Sequence, residues 1–345
     1  MQTLRLTIDP EHLDTVEARS ALNRAAEILR SGGLVALPTE TVYGLGANAL
    51  DSAAVARIFT AKQRPSWDPV IVHIAGAPHS NSIANPMLDQ LVTHIPDTAR
   101  RLIAAHWPGP LTLLLPRSAA VPDAVTAGRP LVGVRMPAHP VALQLIHRAG
   151  VPVAAPSANM FSRTSPTTAD HVLEDLDGRI DAILDAGPTA HGVESTVLDP
   201  GQSPMMIYRP GAITAEQIRS VAGPVEIYRK DAVVPSESPQ ALPSPGVGMR
   251  HYAPRARLVL IEAPLSDLPG QLARTAALYA TERIGLMLPA DMAVAGGPET
   301  AVFPWGRWAA PEEMAHSLYA GLRALDSLGC TVILCPMPPS EGIGD

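Results

Sequence analysis

The sequence predicts an α/β fold in two domains, and three observations lead to that expectation. Short apolar runs alternate with segments whose apolar residues recur at helical spacing. The alternation stops in a proline- and serine-rich stretch, PSESPQALPSPGVG, and then starts again. With 345 residues and 46% hydrophobic side chains, the chain exceeds one ordinary domain and carries apolar material for two cores.

Element by element, Ala21–Ser31 has helical spacing, Gly32-Gly33 allows a turn, and Leu34–Leu37 is a strand-type run that Pro38 ends. A loop is expected next, presenting Thr39, Glu40, Thr41 and Tyr43, with Gly44 and Gly46 there for close backbone approach or positive φ. Asp51 or Ser52 caps a helix whose buried face is Val55, Ile58 and Phe59, and Lys62 and Arg64 fall where it ends, before Pro65. Strand-type runs follow at Val70–Ile74, Leu111–Leu115, Val132–Arg135, Val151–Ala154, Ile180–Leu184 and Thr196–Leu198, with a helix at Pro140–Ala149. A tail helix at Thr214–Val221 and a strand near Val225–Tyr228 close the first domain. Beyond the linker come strand Leu258–Glu262, a helix around Leu268–Ala280, strand Ile284–Leu288, a helix around Pro311–Leu328 capped by Gly329, and strand Thr331–Leu334. That order predicts a small parallel-sheet domain.

A formal charge of -7 and a pI near 5.9 argue against a broad nucleic-acid footprint and leave room only for local RNA contact. Cys330 and Cys335 are the only cysteines and form no C-x-x-C pattern, so they read as reduced core thiols. No secretory segment follows Met1 and no apolar run is long enough to cross a bilayer, so the expected setting is cytoplasmic, without membrane contact.

The stretch from Leu34 to Arg64 reads as a site for a phosphorylated substrate. Cations in a helix's last turn commonly just complement its dipole. Yet of 26 basic residues only Lys62 and Lys230 are lysines, so a lysine at this spot suggests a need for a compact ammonium. GLGANA lacks the third glycine of a dinucleotide fingerprint, and a Walker-type loop is absent. His73 in VIVHIA, Ser157-Ala158-Asn159 after VPVAAP, Ser195-Thr196 in VESTV and Arg209 in YRPG each have a plain structural reading as packed, capping or strand-edge residues. Their recurrence at strand ends is what points to a ligand site. No G-x-S-x-G elbow supports a hydrolase.

PTETVYGLG, KQR at 62–64, PVIVHI, WPGPLTLLL, VGVRMPAHP, APSAN, VESTV and RPG run in this order from Pro38 to Gly211. Together they resemble the YrdC-like family, and with SPGVGMRHYAP and LYAGLRALD the whole chain is similar to its two-domain L-threonylcarbamoyladenylate synthases. The resemblance implies a twisted open mixed α/β sheet around a concave basic cleft at 1–228, a linker carrying an active-site loop at 229–256, and a smaller Rossmann-like domain at 257–345. It implies that L-threonine, bicarbonate or CO2, and ATP become threonylcarbamoyl-AMP and pyrophosphate, for a downstream tRNA threonylcarbamoyltransferase acting on the adenosine beside the anticodon.

By the same resemblance Lys62, Arg64 and Arg209 hold ATP phosphates, Lys62 and Arg64 being the catalytic pair, and Mg2+ bridges phosphate oxygens. Ser157, Asn159, Ser165 and Leu131 complete the nucleotide site, where Asp68 stands in place of the family's frequent asparagine. Thr41, His73, Arg135, Ala155 and Ser195 bind threonine, and Arg250, His251 and Tyr252 belong to a loop over the cleft. Relatives commonly continue past GIGD into another helix. A hydrogenase-maturation carbamoyltransferase would carry an acylphosphatase-like segment and cysteine-rich zinc motifs, neither of which occurs here. A noncatalytic RNA-binding or regulatory module is the remaining alternative, marked by salt-dependent RNA affinity without ATP turnover.

Overall fold

The computed structural model describes residues 2–76, 85–229, 252–292 and 300–338. Contacts divide the chain into one unit of Met1–Phe161, Pro166–Thr189 and Glu194–Met249 and a second of Ser162–Ser165, Ala190–Val193 and Arg250–Asp345. Residues 230–251 of the expected linker, Arg250 and His251 included, lie outside the described residues.

The first unit's strands are β1 (Leu4–Thr7), β2 (Val35–Pro38), β3 (Tyr43–Asn48), β4 (Ile71–His73), β5 (Leu111–Pro116), β6 (Leu131–Arg135), β7 (Val153–Ala154), β8 (Ala182–Asp185), β9 (Thr196–Asp199), β10 (Met205–Arg209) and β11 (Val225–Ile227). Its helices are α1 (Val16–Arg30), α2 (Ser52–Lys62), α3 (Pro86–Leu91), α4 (Asp97–His106), α5 (Asp123–Thr126), α6 (Pro140–Ala149), α7 (Ala169–Leu176) and α8 (Ala215–Ala222). Among the described residues the strands form one mixed sheet in the order β1-β8-β2-β3-β7-β4-β6-β5-β9-β10-β11. The helix at Pro140–Ala149 falls where spacing puts it, whereas α1 starts at Val16, where Thr15 accepts from the Ala18 N–H at 3.2 Å. Asp51, not Ser52, caps α2, accepting from the Ala53 and Ala54 N–H groups.

The segment after Pro38 departs from expectation. Tyr43–Asn48 is not loop but strand, paired antiparallel with β2 on one side and with β7 on the other. Gly44 and Gly46 have no positive φ. Gly46 is there for room, because a Cβ would come within 2.9 Å of Leu37 Cδ2 and Val153 Cγ1. Close packing between neighbouring strands, rather than approach to a ligand, explains that glycine.

The sheet's two faces differ. Val72, Val132, Val134, Leu113, Leu198 and Ile207 point into the main core with Ile58, Leu88, Leu102 and Ile218 from the helices. Each such fully buried aliphatic side chain contributes roughly 1.5–3 kcal/mol. On the opposite face Val35, Leu37, Val153, Ala182 and Leu184 pack with the buried stripes of α1 and α6. Further along that face, from β4 to β10, Ile71, Leu114 and Val197 form a small apolar cluster with Leu131 and Tyr208 packed against it, and His73, Thr112, Arg135 and Arg209 are buried polar side chains.

The second unit contains β12 (Arg257–Ile261), α9 (Leu268–Leu278), β13 (Ile284–Leu288), β14 (Ala301–Pro304), α10 (Pro311–Ser327) and β15 (Val332–Pro336). The four strands are parallel in the order β12-β15-β13-β14, as the alternating pattern predicts, although β14 was not legible. Leu268 and Leu272 of α9 cover Leu286, Val332 and Leu334. Cys330 and Cys335 are buried free thiols, and burial pushes the Cys335 thiol up to about 12. Among the described residues no helix is long and apolar enough to cross a membrane.

Candidate active site

Directly paired residues in neighbouring strands share a face, so the register builds the site. His73 of β4 lies opposite Arg135 of β6. Val134 lies opposite Leu113, which brings Arg135 level with Thr112 on β5 at the next step of the ladder. Thr112 faces Val197 of β9, and Val197 faces Arg209 of β10 just after a bulge in that strand. A row of His73, Arg135, Thr112 and Arg209 therefore crosses the face opposite the main core.

Arg135 is the hub of one half. Its Nε donates to the Gly109 carbonyl at 3.1 Å and its Nη1 to Thr41 Oγ1 at 2.9 Å. Thr41 in turn meets Thr39 Oγ1 at 2.8 Å, and Thr39 spends its own proton on the Val42 carbonyl at 2.6 Å. Thr41 is therefore the donor to Thr39, and its oxygen accepts from Arg135. Nη2 forms a buried ion pair with Glu40 Oε1 at 2.7 Å. Burial pushes the Glu40 carboxyl up, but the charge and hydrogen bond of Arg135 and two backbone N–H groups outweigh it and hold the group below the usual range. Burial, followed by the Arg135 charge, pushes His73 down to about 3, so its ring is neutral; among the described residues its Nδ1 has no hydrogen-bond partner.

The other half is cationic. Lys62, the last residue of α2, is only 1% exposed, and its Nζ donates to the Ser157 carbonyl at 2.5 Å and to the Asn159 carbonyl. Burial and then the neighbouring Arg64 charge press its pKa well below the ordinary lysine value, against Glu194, Asp175 and Asp68. Gln63 adopts a left-handed conformation at φ 53° and turns the chain. Arg64 then donates from Nε to the Asp68 carbonyl at 3.2 Å and from Nη2 to the Pro69 carbonyl at 2.7 Å, with Asp68 Oδ2 3.0 Å away. Burial raises the Asp68 carboxyl despite Arg64, Lys62 and Arg209 nearby. Arg209 donates from Nε and Nη2 to the Ser195 carbonyl at 3.1 and 2.8 Å and from Nη2 to Ser195 Oγ at 3.0 Å, while Glu194 is 3.9 Å from Nη1. Ser195 Oγ also lies 2.8 Å from Thr112 Oγ1.

The remaining candidates belong partly to the first unit and partly to the second. Leu131 opens β6 and packs on the Ile71, Leu114 and Val197 cluster. The Ala155 N–H donates to the Ile71 carbonyl at 2.8 Å, Ser157 bridges to Gly44, and Asn159 Nδ2 donates to the Met160 carbonyl at 2.9 Å. Ser165 and Tyr252 belong by their contacts to the second unit, where Arg323 Nε donates to the Ser165 carbonyl at 3.4 Å and Tyr252 lies 6.1 Å from the Tyr319 ring. Glu40 as partner of Arg135, and Thr112, escaped the sequence reading; the hint for Thr112 is a single hydroxyl inside the apolar run LTLLL. Among the described residues no group of three or more His, Cys, Asp or Glu side chains is arranged to hold a metal, and Glu40 and Asp68 each face an arginine.

Comparison with known proteins shows the family and the fold. The family model described as Telomere recombination matches residues 27–211, and that described as Threonylcarbamoyl-AMP synthase, C-terminal domain, matches residues 213–345. The threonylcarbamoyl-AMP synthase of Pyrococcus abyssi is 42% identical over 93% of this chain and 89% of its own length. That of Bacillus subtilis is 40% identical over 100% of this chain and 95% of its own. The crystal structure of Pyrococcus abyssi Sua5 complexed with L-threonine matches with a TM-score of 0.85 at 38% identity, covering 100% of this chain and 94% of that one. The chain thus belongs to the threonylcarbamoyl-AMP synthase family, with a Sua5/YciO/YrdC-type first domain followed by that family's C-terminal domain.

Proposed function

We propose that the chain condenses L-threonine, bicarbonate or CO2, and ATP into threonylcarbamoyl-AMP and pyrophosphate. One observation carries this: synthases of that name match the chain from end to end at about 40% identity. Chemically, the neutral threonine amine bonds to the CO2 carbon and loses a proton, giving a carbamate. A carbamate oxygen then bonds to the α-phosphorus as the bond to pyrophosphate breaks, which is nucleotidyl transfer. Alignment and charge neutralisation suffice for these steps, and no side-chain nucleophile is required.

Arg135, Thr41, His73, Ser195 and the Ala155 backbone are assigned to threonine, whose carboxylate competes with Glu40 for Arg135. Arg64 and Arg209 are assigned to the phosphates, with Ser157, Asn159, Ser165 and Leu131 completing the nucleotide site. Lys62 holds the 157–159 segment by its carbonyls, and Asp68 orients Arg64. Mg2+ enters as part of the ATP substrate, since the nearby carboxylates face arginines rather than one another. Arg250, His251 and Tyr252 are assigned to the loop that shields the labile products. The product then serves a tRNA threonylcarbamoyltransferase in the cytoplasm.

Mass spectrometry of a reaction with ATP, threonine and bicarbonate should detect threonylcarbamoyl-AMP. Valine, which lacks the hydroxyl, should be at least about 100-fold poorer, because polar groups left unpaired in the pocket penalise it. Pyrophosphate release without the adduct, or equal release with valine, would overturn the assignment.

A further inference from the structure

Three hydroxyl and guanidinium groups meet at Ser195, and their donor inventory is unbalanced. Arg209 has only donors, so Ser195 Oγ must accept from its Nη2 at 3.0 Å. Thr112 is wholly buried, and among the described residues its Oγ1 has one hydrogen-bond partner, Ser195 Oγ at 2.8 Å. Among the described residues one proton of this pair has no acceptor. If Ser195 donates to Thr112, the spare proton is shut inside strand β5, where no incoming molecule can reach it and the cost of an unmade bond persists. If Thr112 donates to Ser195, the spare proton is on Ser195, which is itself only 1% exposed but directly precedes β9 and is the residue assigned to threonine, so a bound ligand oxygen can take it.

We infer that Thr112 is a positioning residue that fixes Ser195 as a hydrogen-bond donor to an acceptor oxygen of the amino-acid substrate. This rests on the assignment of Ser195 to threonine. The Thr112 rotamer is restricted by its branched Cβ and by its complete burial. With Thr112 and Arg209 both donating to it, the Ser195 hydroxyl keeps one free direction. At Ser195 the hydroxyl and the neighbouring Arg209 then offer donors, so this point recognises carboxylate, carbamate or hydroxyl oxygen and disfavours a ligand N–H.

The test compares Thr112→Val, Thr112→Ser and Ser195→Ala in steady-state pyrophosphate release, varying threonine and ATP separately. Thr112→Val keeps the shape and removes the donor, so the threonine KM should rise about tenfold, the worth of one oriented hydrogen bond, with the ATP KM within about twofold. Thr112→Ser restores the donor and should stay within about threefold of the parent. An unchanged threonine KM in Thr112→Val, beside a raised one in Ser195→Ala, overturns the inference and leaves the Ser195 assignment standing. An unchanged threonine KM in Ser195→Ala removes that assignment and the inference with it. Equal increases for both substrates in Thr112→Val would mean general loosening, which also overturns it. Should Thr112→Val fail to fold, Thr112→Ala carries the same comparison.

Discussion

Arg135 Nη2 lies 2.7 Å from Glu40 Oε1 with both side chains buried, so the cation at the centre of the polar row is neutralised before any ligand arrives. Glu40→Gln should therefore cost about 3 kcal/mol of stability, the lower end for breaking a buried pair, because the amide oxygen still accepts. Denaturant unfolding checks this. An unchanged midpoint would mean that the Gly109 carbonyl and Thr41 suffice to hold Arg135.

Lys62 and Arg64 should both matter to the fold, although both fall at the end of one helix. A helix-end position suggests that either can be removed without harm to the fold. Lys62, however, is buried with its Nζ on two main-chain carbonyls. Lys62→Ala leaves those carbonyls without their donor and should lower both melting temperature and turnover. Arg64→Ala strips the buried Asp68 carboxylate and two carbonyls of a donor, so it should also lower the melting temperature, and in addition lose about 1.5–3 kcal/mol of transition-state stabilisation, roughly 10- to 150-fold in kcat/KM. Near-parental turnover in Arg64→Ala would remove it from the phosphate site.

Stability should fall in mild acid through His73. Its folded pKa, pushed down to about 3, lies below the ordinary value of 6.5. Across that window the unfolded chain binds a proton that the folded protein refuses, so stability drops as pH falls, by up to about 1.4 kcal/mol per pH unit from this group. His73→Asn should flatten the dependence by about 2 kcal/mol between pH 6.5 and about 4.5. Parallel curves for the two proteins would mean that His73 is protonated normally.

Replacing Gly246 to Tyr252 by a Gly/Ser segment of equal length should leave both units folded while lowering product yield or uncoupling ATP consumption from product, as loss of a shielding loop would. Unchanged yield and coupling would make the segment a tether only.

Much of the architecture was legible because local pattern suffices for it. Pro140–Ala149 and Ile284–Leu288 are bounded by their own proline, glycine and apolar spacing, and the strand-type runs at β2, β4, β5, β6, β8 and β9 stand out as buried apolar stretches. Strand β3 was hidden, since YGLGAN is poor in strand-forming residues and is held by partners on both sides rather than by its own preference.

The chemical types at the site were likewise determined by the sequence alone: a histidine closing β4, an arginine closing β6, a serine before β9, an arginine closing β10, and one rare lysine closing α2. Which of them touch was decided only by the tertiary structure. Arg135 with Glu40, Lys62 with the Ser157 and Asn159 carbonyls, and Thr112 with Ser195 are far apart along the chain, and only the tertiary fold brings them together. Local periodicity determines which side chains share a face, but a charge or hydroxyl buried there must find its partner across the sheet, because leaving it unpaired costs more than the fold can spare.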